Sequence, residues 1–212
     1  MKKRILFFII LFTFYIFANC YFYTINSLNG IKDKVFRLHI IANSDLDEDQ
    51  SLKYKVRDNI ISYMNDICRD ASSKEDAIKL VQKNIDNFTK IADYTIMENG
   101  FSYTSSVEIG NYKFPTKNYG DVTLPSGYYD ALEIKLGSNS GQNWWCVLYP
   151  SLCFVDISNG TVPEPSKKEL KNILSDEEYA LITENTPTYN FKFKLVELFS
   201  NSFRLGQMNG YN

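Results

Sequence analysis

One histidine, His39, stands among 212 residues. That scarcity excludes a His-Glu-x-x-His zinc site, and the cysteine and histidine spacings of structural zinc are missing as well. There is no Gly-x-Ser-x-Gly elbow and no phosphate-binding loop, which removes the commonest hydrolase and nucleotide-binding patterns. A Cys–His couple would need His39 brought beside Cys68, Cys146 or Cys153, and a lone strand histidine reads more simply as structural. Positive charge is also short: 23 basic side chains face 25 acidic ones, a net of −2. Residues 1–29 hold three of the basic residues and no acid, so the rest carries 20 against 25, a net of −5. Nucleic acid needs a basic face and is excluded as a partner. Internal repeats and low-complexity tracts are absent, and no pattern calls for a cofactor, a metal or a small-molecule substrate.

What is present begins with Lys2-Lys3-Arg4 followed by an apolar run over 5–17 that continues, with polar interruptions, to about Ile25. This is a basic start and apolar core of a signal peptide, close to the ~20 residues of a membrane span. Either way the N-terminus stays in the cytoplasm and the remainder is exported or anchored outside. The division expected is 1–28 as signal peptide or anchor, 30–160 as the main domain and 161–212 as a C-terminal extension packed on it, with Pro163-Glu164-Pro165 as a linker.

The pass along the domain predicts α+β: an antiparallel sheet with two long amphipathic helices on one face. Residues 35–42 read as a strand. Asn43-Ser44-Asp45 ends it, and Asp45 with Glu48 makes a capping-box spacing for a helix carrying Leu52, Val56, Ile60 and Ile67 on one stripe. Asp45, Asp47 and Asp49 resemble the start of a calcium loop, but Gln50 and Val56 occupy its glycine and glutamate positions. A second helix starts after Ser72-Ser73, carries Ile78, Val81, Ile85, Phe88 and Ala92, and stops at Asn99-Gly100. Cys68 closes the first helix as a core thiol, and Cys20 belongs to the N-terminal segment. Asn87-Phe88-Thr89 matches a glycosylation acceptor, but Phe88 lies on the buried stripe. Period two then takes over: 101–109 form a strand, 115–126 a loop, 131–136 a strand, and the cluster at 137–141 a turn sending it into 144–149 as a hairpin. Ser166/Glu169 and Ser175/Glu178 predict two short helices, and 189–195 a strand before a short closing helix.

The rarest stretch is 141–156, GQNWWCVLYPSLCFVD, with both tryptophans and two of the four cysteines. In a strand Trp144 and Trp145 point to opposite faces. Both read as core, or one as a partner-binding anchor. If the chain reverses at Tyr149-Pro150, Cys146 faces Cys153 at disulfide distance. Two reduced thiols are the alternative, and Pro150 sits poorly at the second position of a tight turn.

Leu124-Pro125-Ser126-Gly127-Tyr128-Tyr129-Asp130-Ala131-Leu132-Glu133-Ile134, Gly137 and the Trp-Trp segment together resemble the stage II sporulation protein R family, secreted signalling proteins of endospore-forming bacteria. A second block agrees: Arg37 to Asp45, Asp49-Gln50, and Leu52 to Asp58. The resemblance runs from about Val35 to Phe154 and more loosely to Leu205. It implies a protein made in the forespore and exported to the intermembrane space. There it would activate a membrane-embedded aspartic peptidase that processes the precursor of sporulation sigma factor E. A cell-envelope hydrolase and a glycan-binding module are the alternatives. The first would require a cleft uniting His39 with a thiol, or two carboxylic acids with raised pKa. The second would require an exposed aromatic platform.

Overall fold

The computed structural model describes residues 2–152 and 162–183. Helix α1 (Lys2–Lys34) is followed by β1 (Phe36–Ile41), α2 (Asp47–Ile67), α3 (Lys74–Lys83) and α4 (Ile85–Glu98). Then come β2 (Ser105–Phe114), β3 (Lys117–Tyr119), β4 (Val122–Leu124), β5 (Gly127–Leu136), β6 (Asn143–Tyr149), α5 (Glu164–Ile173) and α6 (Asp176–Thr183). The four main strands run β2-β5-β1-β6, while β3 and β4 pair separately.

The sheet is mixed, not antiparallel: β1 pairs parallel with β5 and antiparallel with β6. The reason lies in β1 itself, five of whose six residues are buried. A strand covered on both faces shows little alternation and takes a central place. Consequently β5 and β6 are no hairpin, because β1 lies between them. The chain crosses two strand spacings, ~9.5 Å, through 137–142, and this crossover is tied to the end of β1. Ser140 and Gly141 donate their backbone N–H groups to the carbonyls of Asn43 and Ala42 at 3.1 and 3.0 Å.

Helices α2 and α4 lie on the face that carries Leu38, Ile40 and Trp144, as the contact of Trp144 with Tyr54 of α2 records. Leu52, Val56, Ile60, Phe88, Ala92 and Ile96 are all buried there. The expected second long helix is two helices. They break at Asn84, whose side-chain amide donates to the Leu80 carbonyl at 2.9 Å while its Oδ1 accepts from the Tyr63 hydroxyl at 3.1 Å. Ser73 caps α3 by accepting from the Asp76 N–H, and Gly100 takes a positive φ of 83° just past α4. Asp45 does not cap α2: Leu46 is the N-cap and makes no side-chain cap. The 115–126 segment holds the β3–β4 hairpin, turned at Gly120 with φ 67°.

Pro163-Glu164-Pro165 is the start of α5, with proline in the first turn where its missing N–H costs nothing. This places Ser166 inside the helix, so only the second capping box forms. Glu178 N–H donates to Ser175 Oγ at 3.2 Å and Ser175 N–H to Glu178 Oε2 at 2.8 Å. The strand and helix expected beyond 189 lie outside the described residues.

Helix α1 is 33 residues long with mean hydropathy 2.2 over its most apolar window, long and apolar enough to cross a membrane. Its last turns belong to the domain. Ile31 is fully buried, and Lys34 pairs with Glu178 of α6 at 2.6 Å.

Candidate functional site

Two polar constellations lie on the sheet, one on each face. On the face away from α2, register brings His39 between Glu133 of β5 and Trp145 of β6. Its ring stacks on the Trp145 ring at 3.7 Å and 11°. Nδ1 meets Glu133 Oε1 at 2.9 Å, and Nε2 meets the Asn143 side-chain amide at 2.6 Å. Glu133 Oε2 lies 2.7 Å from Lys135 Nζ, which also bridges to Glu108. Burial depresses the His39 pKa; hydrogen bonds to the Asn143 amide oxygen and the Glu133 carboxylate oppose this, and the Lys135 charge adds to it. Hydrogen bonds to Glu108 and Glu133 raise the Lys135 pKa. Burial beside these carboxylates pushes the Tyr112 hydroxyl up to about 12.

Next along the same face, Arg37 is completely buried. Its guanidinium sits 4.1 Å over the Phe114 ring and 4.8 Å over the Tyr129 ring. Nη2 donates to the Tyr119 hydroxyl at 2.6 Å, and that hydroxyl in turn donates to the Trp145 carbonyl at 3.2 Å. The β3–β4 hairpin is thereby fastened over the sheet. Burial lowers the Arg37 pKa, against the pull of Tyr119 and Tyr129.

On the helix face, Trp144 carries the second constellation. Tyr54 meets it edge-on at 5.6 Å, and Arg57 lies 4.4 Å over the Trp144 ring and 5.0 Å over the Tyr54 ring. Tyr54 is 41% exposed, so this cation–aromatic ladder reaches the surface. Lys53 beneath it is buried, its ammonium donating to Gln50 Oε1 at 2.6 Å and to the Gln142 carbonyl at 3.1 Å. Farther along the helix layer, a groove of about 830 Å³ between α2 and α4 is lined by Tyr63, Ile91, Tyr94 and Met97 among others.

The two sequence blocks that carry the family resemblance meet at a clasp. Asn43 Oδ1 accepts from the Ser138 N–H at 2.8 Å, and its carbonyl accepts from the Ser138 and Ser140 hydroxyls at 2.8 and 2.7 Å. Asp49 anchors the other side. Burial raises its pKa, but hydrogen bonds from Ser44, Tyr103 and Asn43 outweigh that and hold it below the usual carboxylate value. The acidic start of α2 therefore serves a fold contact rather than the calcium pattern it resembles. Asp49, Arg37, Lys53 and Glu133 are buried charges that helix stripes and strand alternation did not single out. Their only sequence signal is position, as with Glu133 between Leu132 and Ile134.

Trp144 and Trp145 point to opposite faces as expected, and both are half-buried. Cys146 is buried and disulfide-bonded; Cys153, its expected partner, lies outside the described residues. Cys146 pairs with Leu38 and so faces away from His39. Cys68 is a free thiol at the end of α2, pushed up to about 11 by burial. The geometry thus separates the lone histidine from the described thiols.

These features define an α+β domain carried on an apolar helix, with a buried polar network fastening its central strand to both neighbours on one face and a cation–aromatic ladder on the other. The chain belongs to the stage II sporulation protein R family. That family's profile matches residues 32–159. The chain is 38% identical over 186 residues to Stage II sporulation protein R of Bacillus subtilis (strain 168), covering 82% of this chain and 83% of that protein. No solved structure matches it. Membership places the chain in sporulation.

Proposed function

We propose that this chain is an exported signalling protein. It acts in the space between forespore and mother cell by activating the membrane-embedded aspartic peptidase that processes the precursor of sporulation sigma factor E. The observation that carries this reading is family membership across the folded domain, 32–159. The geometry supports recognition rather than bond chemistry, since both ring nitrogens of His39 are engaged and Cys146 faces the other way. Binding activates only if it is tighter to the active state of the peptidase.

The Tyr54–Arg57–Trp144 ladder is the contact surface this reading favours, because aromatic and arginine side chains dominate interface hot spots. Trp145, stacked on His39, serves the fold. Full-length variants expressed in a strain lacking the protein test both statements, with precursor conversion and thermal melting measured together. Tyr54→Ala and Arg57→Ala should melt near the wild type yet lose conversion. Trp145→Ala should lower melting sharply, by about 3–5 kcal/mol of stability. Wild-type chain that is exported beside intact peptidase and yields no conversion overturns the activator reading. Ladder variants with full conversion move the contact elsewhere.

A further inference from the structure

The two edges of the main sheet are treated differently. On the outer edge of β6, the Trp145 carbonyl accepts from Tyr119 and the Val147 carbonyl accepts from the Leu152 N–H at 3.2 Å. The outer edge of β2 has no such cover over most of its ten residues. Gly137 N–H donates to the Thr104 carbonyl at 3.0 Å, which fixes the phase of the β2–β5 ladder. Even-numbered residues then bond inward to β5 and odd-numbered ones point outward. Ser105 agrees: its N–H turns away from β5 to Asp93 of α4 at 2.7 Å. Beyond it, the backbone groups of Val107, Ile109, Asn111 and Lys113 have no partner among the described residues. The strand contains no proline and no register shift, so it lacks two of the devices that blunt an edge.

We propose that β2 pairs antiparallel with β2 of a second copy, about a two-fold axis through Gly110, joining two four-stranded sheets into one. A second copy fits because the four open residues are disposed evenly about Gly110. In that register Val107 faces Lys113 and Ile109 faces Asn111 of the other copy, each pair exchanging two hydrogen bonds. Registers centred elsewhere leave one of the four open or require Ser105, which Asp93 already holds. Gly110 itself stands at the axis, in a closely spaced pair where Cα atoms approach to ~4.5 Å. Glu108 faces Tyr112, so no like charges oppose. The inference rests on the sheet and not on the peptidase reading.

Cysteine cross-linking of the full-length chain in membranes tests it, with Cys20→Ser removing the exposed thiol of α1. Glu108→Cys and Tyr112→Cys, carried on differently tagged copies and expressed together, should join on mild oxidation. Either variant alone should not, since residue 108 lies four positions from its symmetry mate, ~13 Å along the strand. Asn111→Pro removes an outward N–H, along with an exposed side-chain bond to Asp130 at 3.0 Å, and should cut the mixed adduct by about tenfold. Its melting should remain near that of the parent. No mixed adduct, equal adducts from single variants, an Asn111→Pro chain that still cross-links in full, or adducts formed only with other polypeptides each overturn the pairing.

Discussion

Arg37 carries its charge into a place where the described neighbours are two ring faces, a phenol and a carbonyl. A flat guanidinium suits stacking between Phe114 and Tyr129, and an ammonium on a flexible stem does not. Arg37→Met keeps the volume and removes the desolvated charge, so it should cost about 1–2 kcal/mol, and Arg37→Lys about 3 kcal/mol or more. Urea unfolding of the two variants checks the order. His39 makes the opposite bargain with protons. Its native pKa is depressed, so below its ordinary value near 6.5 the unfolded chain binds protons that the folded chain resists. Stability from His39 is complete above that value and declines as pH falls through the native one. Asp49 adds a second loss at lower pH, because its depressed carboxylate must be protonated there. Melting temperatures from pH 7.5 down to 5 should fall, and His39→Phe should flatten that decline while leaving the loss below pH 4.

At the scale of elements, the crossover between β5 and β6 decides the sheet. A Cβ on Gly141 would lie 2.2 Å from the Ser44 carbonyl oxygen, a backbone atom with little room to move. Gly141→Ala should therefore cost about 1–3 kcal/mol. An alanine variant with unchanged melting would show that the clasp is loose. The sequence already revealed the stripe of α2, the helix start after Ser72-Ser73, the Asn99-Gly100 stop and the Ser175/Glu178 box, because each depends on neighbours within a few positions. The insertion of β1 between β5 and β6 was illegible, since strand pairing is set by residues such as His39 and Glu133 that are 94 positions apart. The β3–β4 hairpin was hidden for the same reason: short strands gain their cover from Arg37 through Tyr119. The His39 network follows from that pairing, so the candidate site could be no more visible than the topology. Trp144 and Trp145 were the exception, because adjacency alone sends them to opposite faces.

For the whole molecule, the boundary between the apolar, membrane-span-length segment and the folded domain falls inside α1. Ile31 is buried and Gly30 leaves room for the Glu178 side chain, so the domain needs the final turns of that helix. A chain exported through a foreign signal peptide from residue 24 onward should fold and melt as the full domain does. One starting at residue 35 should lose several degrees, as Ile31 and the Lys34–Glu178 pair are removed. Equal melting would place the boundary later. The central place of β1 also bears on the order in which the polypeptide is made. Its strand is the first to emerge from synthesis and the last to be satisfied, because both neighbours arrive about a hundred residues afterwards. A chain threading through a membrane from its N-terminus must hold that strand unpaired until residue 149 has followed. For a chain exported as proposed above, folding of the sheet is thus deferred to the far side, and the wait keeps the chain thin enough to pass.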